Sequence, residues 1–126
     1  MSYLFTAQFA FSEDNGETMT ASLADSQFEA SRYITFQRAY NPTKQDKLLG
    51  MEGVYIEVDD QIHSSYGGIE DVQLFAERLE VRLDEKAAKA MKLPPYFSIG
   101  LAHNLDGLSA FSEMLLRIMG GSIKVL

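Results

Sequence analysis

Apolar and polar residues alternate one for one in short runs along most of this chain, and that period of two limits the fold before any other feature is weighed. A backbone with this period is extended, with every second side chain on one face, so each run predicts a strand with one buried face. Tyr3, Phe5, Ala7, Phe9 and Phe11 share one parity and predict a single strand. Asp14-Asn15-Gly16 then supplies residues that tolerate positive φ, and residues 17–23 alternate again with Met19, Ala21 and Leu23 inward. The two runs together predict a hairpin.

The same reasoning continues down the chain. Residues 31–36 are rich in β-formers and predict a third strand, stopped by Asn41-Pro42. Residues 43–49 read as a structured loop, because Gly50 and Gly53 follow so closely. Residues 53–58 and 62–66 predict a second hairpin around the polar turn Asp59-Asp60-Gln61, with Gly67-Gly68 ending or bulging it. Residues 72–76 and 79–83 alternate around Glu77-Arg78 as a third pair, and residues 96–101 predict the last strand.

Only two stretches leave this pattern. Asp84 is a credible N-cap for the helix formers of residues 85–91, which Pro94-Pro95 follow. Leu108, Phe111, Leu115 and Ile118 recur at spacings of three and four, predicting a C-terminal helix capped by Asp106, ended by Gly120-Gly121 and packed across the sheet. The fold class is therefore α+β: a mostly antiparallel sheet of about eight strands carrying a short helix and a longer C-terminal one. Residues 1–126 form one domain, since one core serves about 100–200 residues.

Charge narrows the partners. The formal net charge is −7 and the pI about 4.7, which argues against nucleic acid, because phosphate contacts need a basic surface. Residues 1–63 hold 10 acids against 4 bases, whereas residues 64–126 hold 8 against 7. A basic partner is thus expected to meet the first half. The chain has no cysteine, so no disulfide framework or thiolate metal site is expected, which favours the cytoplasm. The N-terminal apolar residues follow no basic segment and read as a strand, not a signal peptide. No run approaches the roughly 20 apolar residues of a membrane span.

Catalytic and metal chemistry finds little footing. His63 and His103 lack a second ligand at i+2 or i+4, so no zinc spacing is present. Ser64 and Ser65 adjoin His63 without a G-x-S-x-G elbow, and Gly67-Gly68 lack the residues of a phosphate loop. No cofactor, metal or catalytic set is expected. Asp46, Glu52, Glu57, Asp59 and Asp60 concentrate negative charge, but not at the spacing of a calcium loop. Two readings of these acids stay open: a recognition face around Tyr55 and Tyr66, or a solvated strand edge whose charges deter aggregation.

The central residues carry a more specific pattern. Phe36-Gln37-Arg38, Gln45-Asp46, Leu49-Gly50-Met51, Gly53-Val54-Tyr55-Ile56-Glu57, Asp60-Gln61 and Ser65-Tyr66-Gly67-Gly68-Ile69-Glu70 follow one another in order. This pattern resembles the immunity protein 10 family of bacterial polymorphic toxin systems, from about Phe28 to Leu83 and more loosely to the C-terminal helix. The resemblance implies a non-catalytic antidote that binds a cognate toxin domain, for which a basic nuclease is one electrostatically suitable class. It carries over Gln37, Arg38, Gln45, Asp46, Tyr55, Glu57, Asp60, Gln61, Tyr66, Gly67 and Gly68. Of these, Gly67 and Gly68 suit backbone geometry, and Arg38 suits an internal pair with an acid such as Glu57 or Asp46. The toxin-binding set expected from the resemblance and the acidic hairpin together is Gln45, Asp46, Tyr55, Glu57, Asp59, Asp60, Gln61, Tyr66 and Glu70.

Two other classes of function remain beside it. One is a small-ligand-binding or enzymatic domain with Tyr66, His63 and Glu57 around a pocket between sheet and helix. The other is an assembly subunit, a homodimer joined through a sheet edge or the C-terminal helix.

Overall fold

The computed structural model describes residues 2–50, 53–120 and 123–125. In chain order it contains β1 (Thr6–Ala7), β2 (Phe9–Asp14), β3 (Thr18–Ala24), β4 (Tyr33–Ala39), α1 (Lys44–Leu48), β5 (Val54–Val58), β6 (Asp60–Tyr66), β7 (Ile69–Leu74), β8 (Arg78–Leu83), α2 (Glu85–Met91), β9 (Tyr96–Leu101), α3 (Leu108–Met119) and β10 (Ile123–Val125). The class is α+β, and the strands divide into two five-stranded sheets. One is a meander in sequence order, β2-β3-β4-β5-β6, antiparallel throughout. The other, β1-β9-β8-β7-β10, is mixed, because β1 joins β9 and β10 joins β7 in parallel. The strand at residues 96–101 therefore lies inside the mixed sheet, between β1 and β8, and is not the last in the chain.

One buried cluster serves both sheets. Met19, Ala21, Leu23, Ile34, Phe36, Ile56 and Val58 face it from the meander, and Val72, Leu79, Val81, Phe97 and Ile99 from the mixed sheet. Phe111, Leu115 and Ile118 of α3 and Met91 of α2 complete it. The inward parity expected for β3 holds, as does the inward stripe of α3.

The expected N-terminal strand is broken in two. Ala7 pairs with Leu101 in the mixed sheet, while Phe9 pairs with Ala24 in the meander. Gln8, whose N–H donates to the Ala24 carbonyl at 2.8 Å, is the one-residue jog between the sheets. The chain keeps its parity across the jog but passes from one sheet to the other on the far side of the core, so the side that faced inward now faces outward. Phe5 and Ala7 are accordingly buried, whereas Phe9 and Phe11 are 37% and 52% exposed and point away from the core.

Helix ends also depart from expectation. Residues 43–49 are not a loop: the Thr43 hydroxyl accepts from the Asp46 N–H at 3.0 Å and the Asp46 carboxylate accepts from the Thr43 N–H at 2.9 Å. This reciprocal cap starts α1, which buries none of its residues. The N-cap of α3 is Gly107 at φ 80, with no side-chain cap, so Asp106 does not fill that role. A Cβ at Gly107 would stand 3.0 Å from the Ala10 carbonyl, so the helix enters against β2 at a point where a side chain would crowd it. Gly120, at φ 64, ends α3 as expected, while Gly121 lies outside the described residues.

Arg38 does not pair with Glu57 or Asp46. It lies on the inner face of β4 with Ile34 and Phe36, and its Nη1 donates to the Ile118 carbonyl at 2.9 Å. A guanidinium there satisfies one of the open carbonyls of the last turn of α3 and suits its dipole. A second link holds the same end of α3. Arg117 Nη2 donates to Asp14 Oδ2 at 2.8 Å and to the Tyr40 hydroxyl at 2.6 Å, and Tyr40 donates to Asp14 at 2.6 Å.

These bonds, with that of Tyr40 the strongest, then the Gly16 N–H and Arg117, lower the Asp14 carboxyl from 3.8 to about 2. A depressed folded-state pKa contributes stability above the unfolded value and loses it as pH falls through the folded one. Between about pH 4 and pH 2 the urea midpoint should therefore fall less steeply in Asp14→Asn than in the parent chain. Equal slopes would show that the carboxylate has the same affinity for protons in both states.

Candidate interaction face

Ladder register decides which side chains share the outer face of the meander. Phe11 stands opposite Ser22, Ser22 opposite Thr35, Thr35 opposite Glu57 and Glu57 opposite Ser64. The next row runs Glu13, Thr20, Gln37, Tyr55 and Tyr66. None of these side chains is buried, since α3 packs on the opposite, inner face, where Arg38 and Ala10 meet it. An antiparallel sheet can present one face to water in this way. The only Lys or Arg in β2 to β6 is Arg38, which points inward. The outer face thus carries hydroxyls, aromatic rings and carboxylates.

Its centre is a tied cluster. Glu57 accepts a short hydrogen bond from the Tyr33 hydroxyl and another from Tyr55 at 2.5 Å. Burial first, and then the Glu57 carboxylate, raise both phenols above their ordinary pKa, so each keeps its proton as a donor. Tyr55 packs on Tyr66 with ring centroids 4.9 Å apart at 48°. Beside them a cleft of about 140 Å³ is lined by Tyr55, Tyr66, Thr18, Gly53 and Asp46, by Gln37, Arg38 and Ala39 of β4, and by Pro42. Leu48 and Leu49, 87% and 64% exposed, close α1 nearby in sequence.

The structure gathers part of the expected set. Asp46, Tyr55 and Tyr66 meet in the cleft, Glu57 adjoins Tyr55, and Gln45 is exposed on α1. Asp59, Asp60 and Gln61 lie at the other end of the hairpin. Asp59, at φ 66, makes the turn alone, because Asp60 already begins β6. Its carboxylate accepts from Arg32 Nε at 2.8 Å and from the Tyr33 N–H at 3.0 Å, so it frames the turn and has little left for a partner. The ladder then steps from Glu57 opposite Ser64 to Val58 opposite Asp60, leaving residues 61–63 as a bulge. His63 in that bulge donates through Nδ1 to the Met91 carbonyl at 2.6 Å, at the end of α2. Glu70 belongs to β7 in the mixed sheet, beyond two glycines at φ 80 and 85. Glu52 lies outside the described residues.

Tyr33 and Gln37 are members of the face that the acidic pattern did not supply. Tyr33 shares the parity of Thr35 and Gln37, a signal visible in the sequence once β4 is known to be covered on its other side only. The outer face of the mixed sheet is different in kind. Arg78 pairs with Glu80 at 2.6 Å and stacks on Phe75 at 4.0 Å, and Arg82 lies over Tyr96 at 5.2 Å. Arg78, Glu80 and Arg82 thus already have partners.

A family model described as Immunity protein 10 matches residues 6–108, from β1 to the first residue of α3. The chain belongs to the immunity protein 10 family. The matched segment contains the whole meander sheet and α1. Searches of curated proteins and of solved structures gave no significant match. Membership of an immunity protein family gives this chain an immunity role, with a toxin protein as its partner. Among the described residues no helix is long and apolar enough to cross a membrane, and no cluster of His, Asp or Glu is placed to hold a metal ion.

Proposed function

We propose that this member of the immunity protein 10 family neutralises its cognate toxin domain by docking the outer face of the meander sheet onto it. The observation that carries this reading is a five-stranded face of tyrosines, hydroxyls and acids on which no helix is buried, and whose one strand arginine, Arg38, bonds inward to the Ile118 carbonyl. Tyrosine supplies contact area with few rotatable bonds, and short hydroxyl side chains adapt their hydrogen bonds to a partner. Tyr55 and Tyr66 act as anchors, with Glu57, Asp46 and Gln45 beside them and Asp60 and Gln61 on the rim. Asp59 serves the hairpin, and Glu70 faces away with the other sheet.

Inhibition in this scheme is stoichiometric occlusion. The acidic field draws a basic toxin, such as a nuclease domain, and sets the rate of encounter more than the final affinity. The residues weighed for an enzymatic pocket do not converge. His63 is bound to the end of α2, while Glu57 is held on the outer face by two phenols.

The test is titration with a toxin domain that co-purifies with this chain. Tyr55→Ala and Tyr66→Ala should each weaken binding about 30-fold, the roughly 2 kcal/mol of a hot-spot aromatic, with most of the change in dissociation rate. Tyr96→Ala, on the mixed sheet, should leave affinity within about twofold. Full affinity in both meander variants, with the loss appearing in Tyr96→Ala, would move the interface to the other sheet.

A further inference from the structure

We infer that the cleft between α1 and the meander sheet receives the guanidinium of an arginine from the toxin. This rests on the docking face proposed above and names the group that the cleft beside Tyr55 and Tyr66 selects. The argument comes from what each polar group has left to offer. Tyr55 gives its hydroxyl proton to Glu57, so its oxygen retains only lone pairs. Gln37 turns its amide nitrogen to Thr20 Oγ1 at 3.3 Å, which leaves the carbonyl oxygen without a partner among the described residues. Asp46 uses one carboxylate oxygen for the Thr43 N–H, and its other oxygen is unengaged.

What these three groups have left is weighted to acceptors: lone pairs on the Tyr55 oxygen, the Gln37 carbonyl oxygen and one Asp46 oxygen, against a single donor, the second N–H of the Gln37 amide. The complementary side chain is donor-only, and arginine presents five N–H donors in a plane with no acceptor. The Tyr55 and Tyr66 rings, exposed at the same cleft, suit a flat cation that stacks. Arg38 also lines the cleft, with its Nη1 turned to the Ile118 carbonyl on the inner side of the sheet. Lys47 lines the neighbouring cleft beside Tyr40 instead. A cleft of about 140 Å³ has room for one side-chain head group and not for a drug-sized ligand.

Amide chemical shifts of the full chain can be followed while N-acetyl-arginine methylamide is added to millimolar concentration, with the citrulline analogue as the uncharged isostere. Shifts at Thr18, Gly53, Tyr55 and Tyr66 are expected with arginine and not with citrulline. Asp46→Asn, which keeps an oxygen for the Thr43 N–H, should abolish them and weaken toxin binding about 10-fold. Absence of arginine shifts, or equal shifts with citrulline, overturns the inference, while loss of toxin affinity in Tyr66→Ala would still uphold the docking face. Arginine shifts combined with unchanged toxin affinity in Asp46→Asn also overturn it. Unchanged affinity in both tyrosine variants instead removes the docking face.

Discussion

Phe111→Ala is expected to cost about 3–5 kcal/mol of folding stability, read as a lower urea midpoint with an unchanged slope. The ring is fully buried, and it stands one turn inside α3, where its N–H donates to the Gly107 carbonyl at 2.9 Å. Removing it takes apolar surface from the shared core and leaves a cavity beneath the meander strands on which α3 packs, where a close-packed sheet relaxes only in part. Leu116, on the same helix but 38% exposed, provides the comparison: alanine there should cost less than about 1 kcal/mol. Phe111 lies on the covered side of the meander, so the folded fraction of the variant should bind toxin with full affinity. A loss of affinity in that fraction would mean that α3, or the face it supports, takes part in recognition.

Why α3 was legible while the sheet division was not follows from the range of the interactions involved. The stripe Leu108, Phe111, Leu115 and Ile118 is a local pattern, and each hairpin combines alternation with its own turn residues. The parallel pairs of β1 with β9 and β10 with β7 join segments remote in sequence, and nothing near either strand specifies its partner. The jog at Gln8 was hidden for a related reason. Tyr3 to Phe11 keep perfect parity in the sequence, and only the exchange of sheets turns Phe9 and Phe11 outward.

In the candidate face, the sequence makes the neighbours of the aromatic residues legible but not those of the acids. Tyr55, Glu57 and Tyr66 lie together because alternation fixes their face and the hairpin sets Tyr66 opposite Tyr55. Counting carboxylates could not show that Asp59 is consumed by Arg32 and the Tyr33 N–H, a contact across 27 residues for the guanidinium. Nor could it show that Gly67 and Gly68 deliver Glu70 to a different sheet from Tyr66. The α1 cap, by contrast, was written in Thr43 and Asp46, an aspartate variant of the usual Ser/Thr to Glu/Gln box.

The pair Gly67-Gly68 yields the second large effect, because the two glycines are required for different reasons. Both have positive φ, 80 and 85, where any L-residue with a Cβ is disfavoured by about 1–2 kcal/mol. A Cβ at Gly67 would meet nothing within 4 Å, so Gly67→Ala should cost only that conformational term. At Gly68 the added Cβ would collide with the Ala87 Cβ of α2 and stand 3.1 Å from Asp84 Oδ1. Neither neighbour yields easily, since Asp84 caps α2 through the Ala87 N–H and is itself bonded through its N–H to the Gly68 carbonyl at 2.8 Å. Adding overpacking of about 1–3 kcal/mol, Gly68→Ala should lose about 2–5 kcal/mol in total. Ala87→Gly in that background opens the space and should recover the overpacking part, although alone it weakens the helix by about 1 kcal/mol. Urea unfolding of the four members of this cycle measures the coupling directly. Simple additivity would show that Gly68 is held by backbone conformation alone, and that α2 does not press on the turn that positions Tyr66.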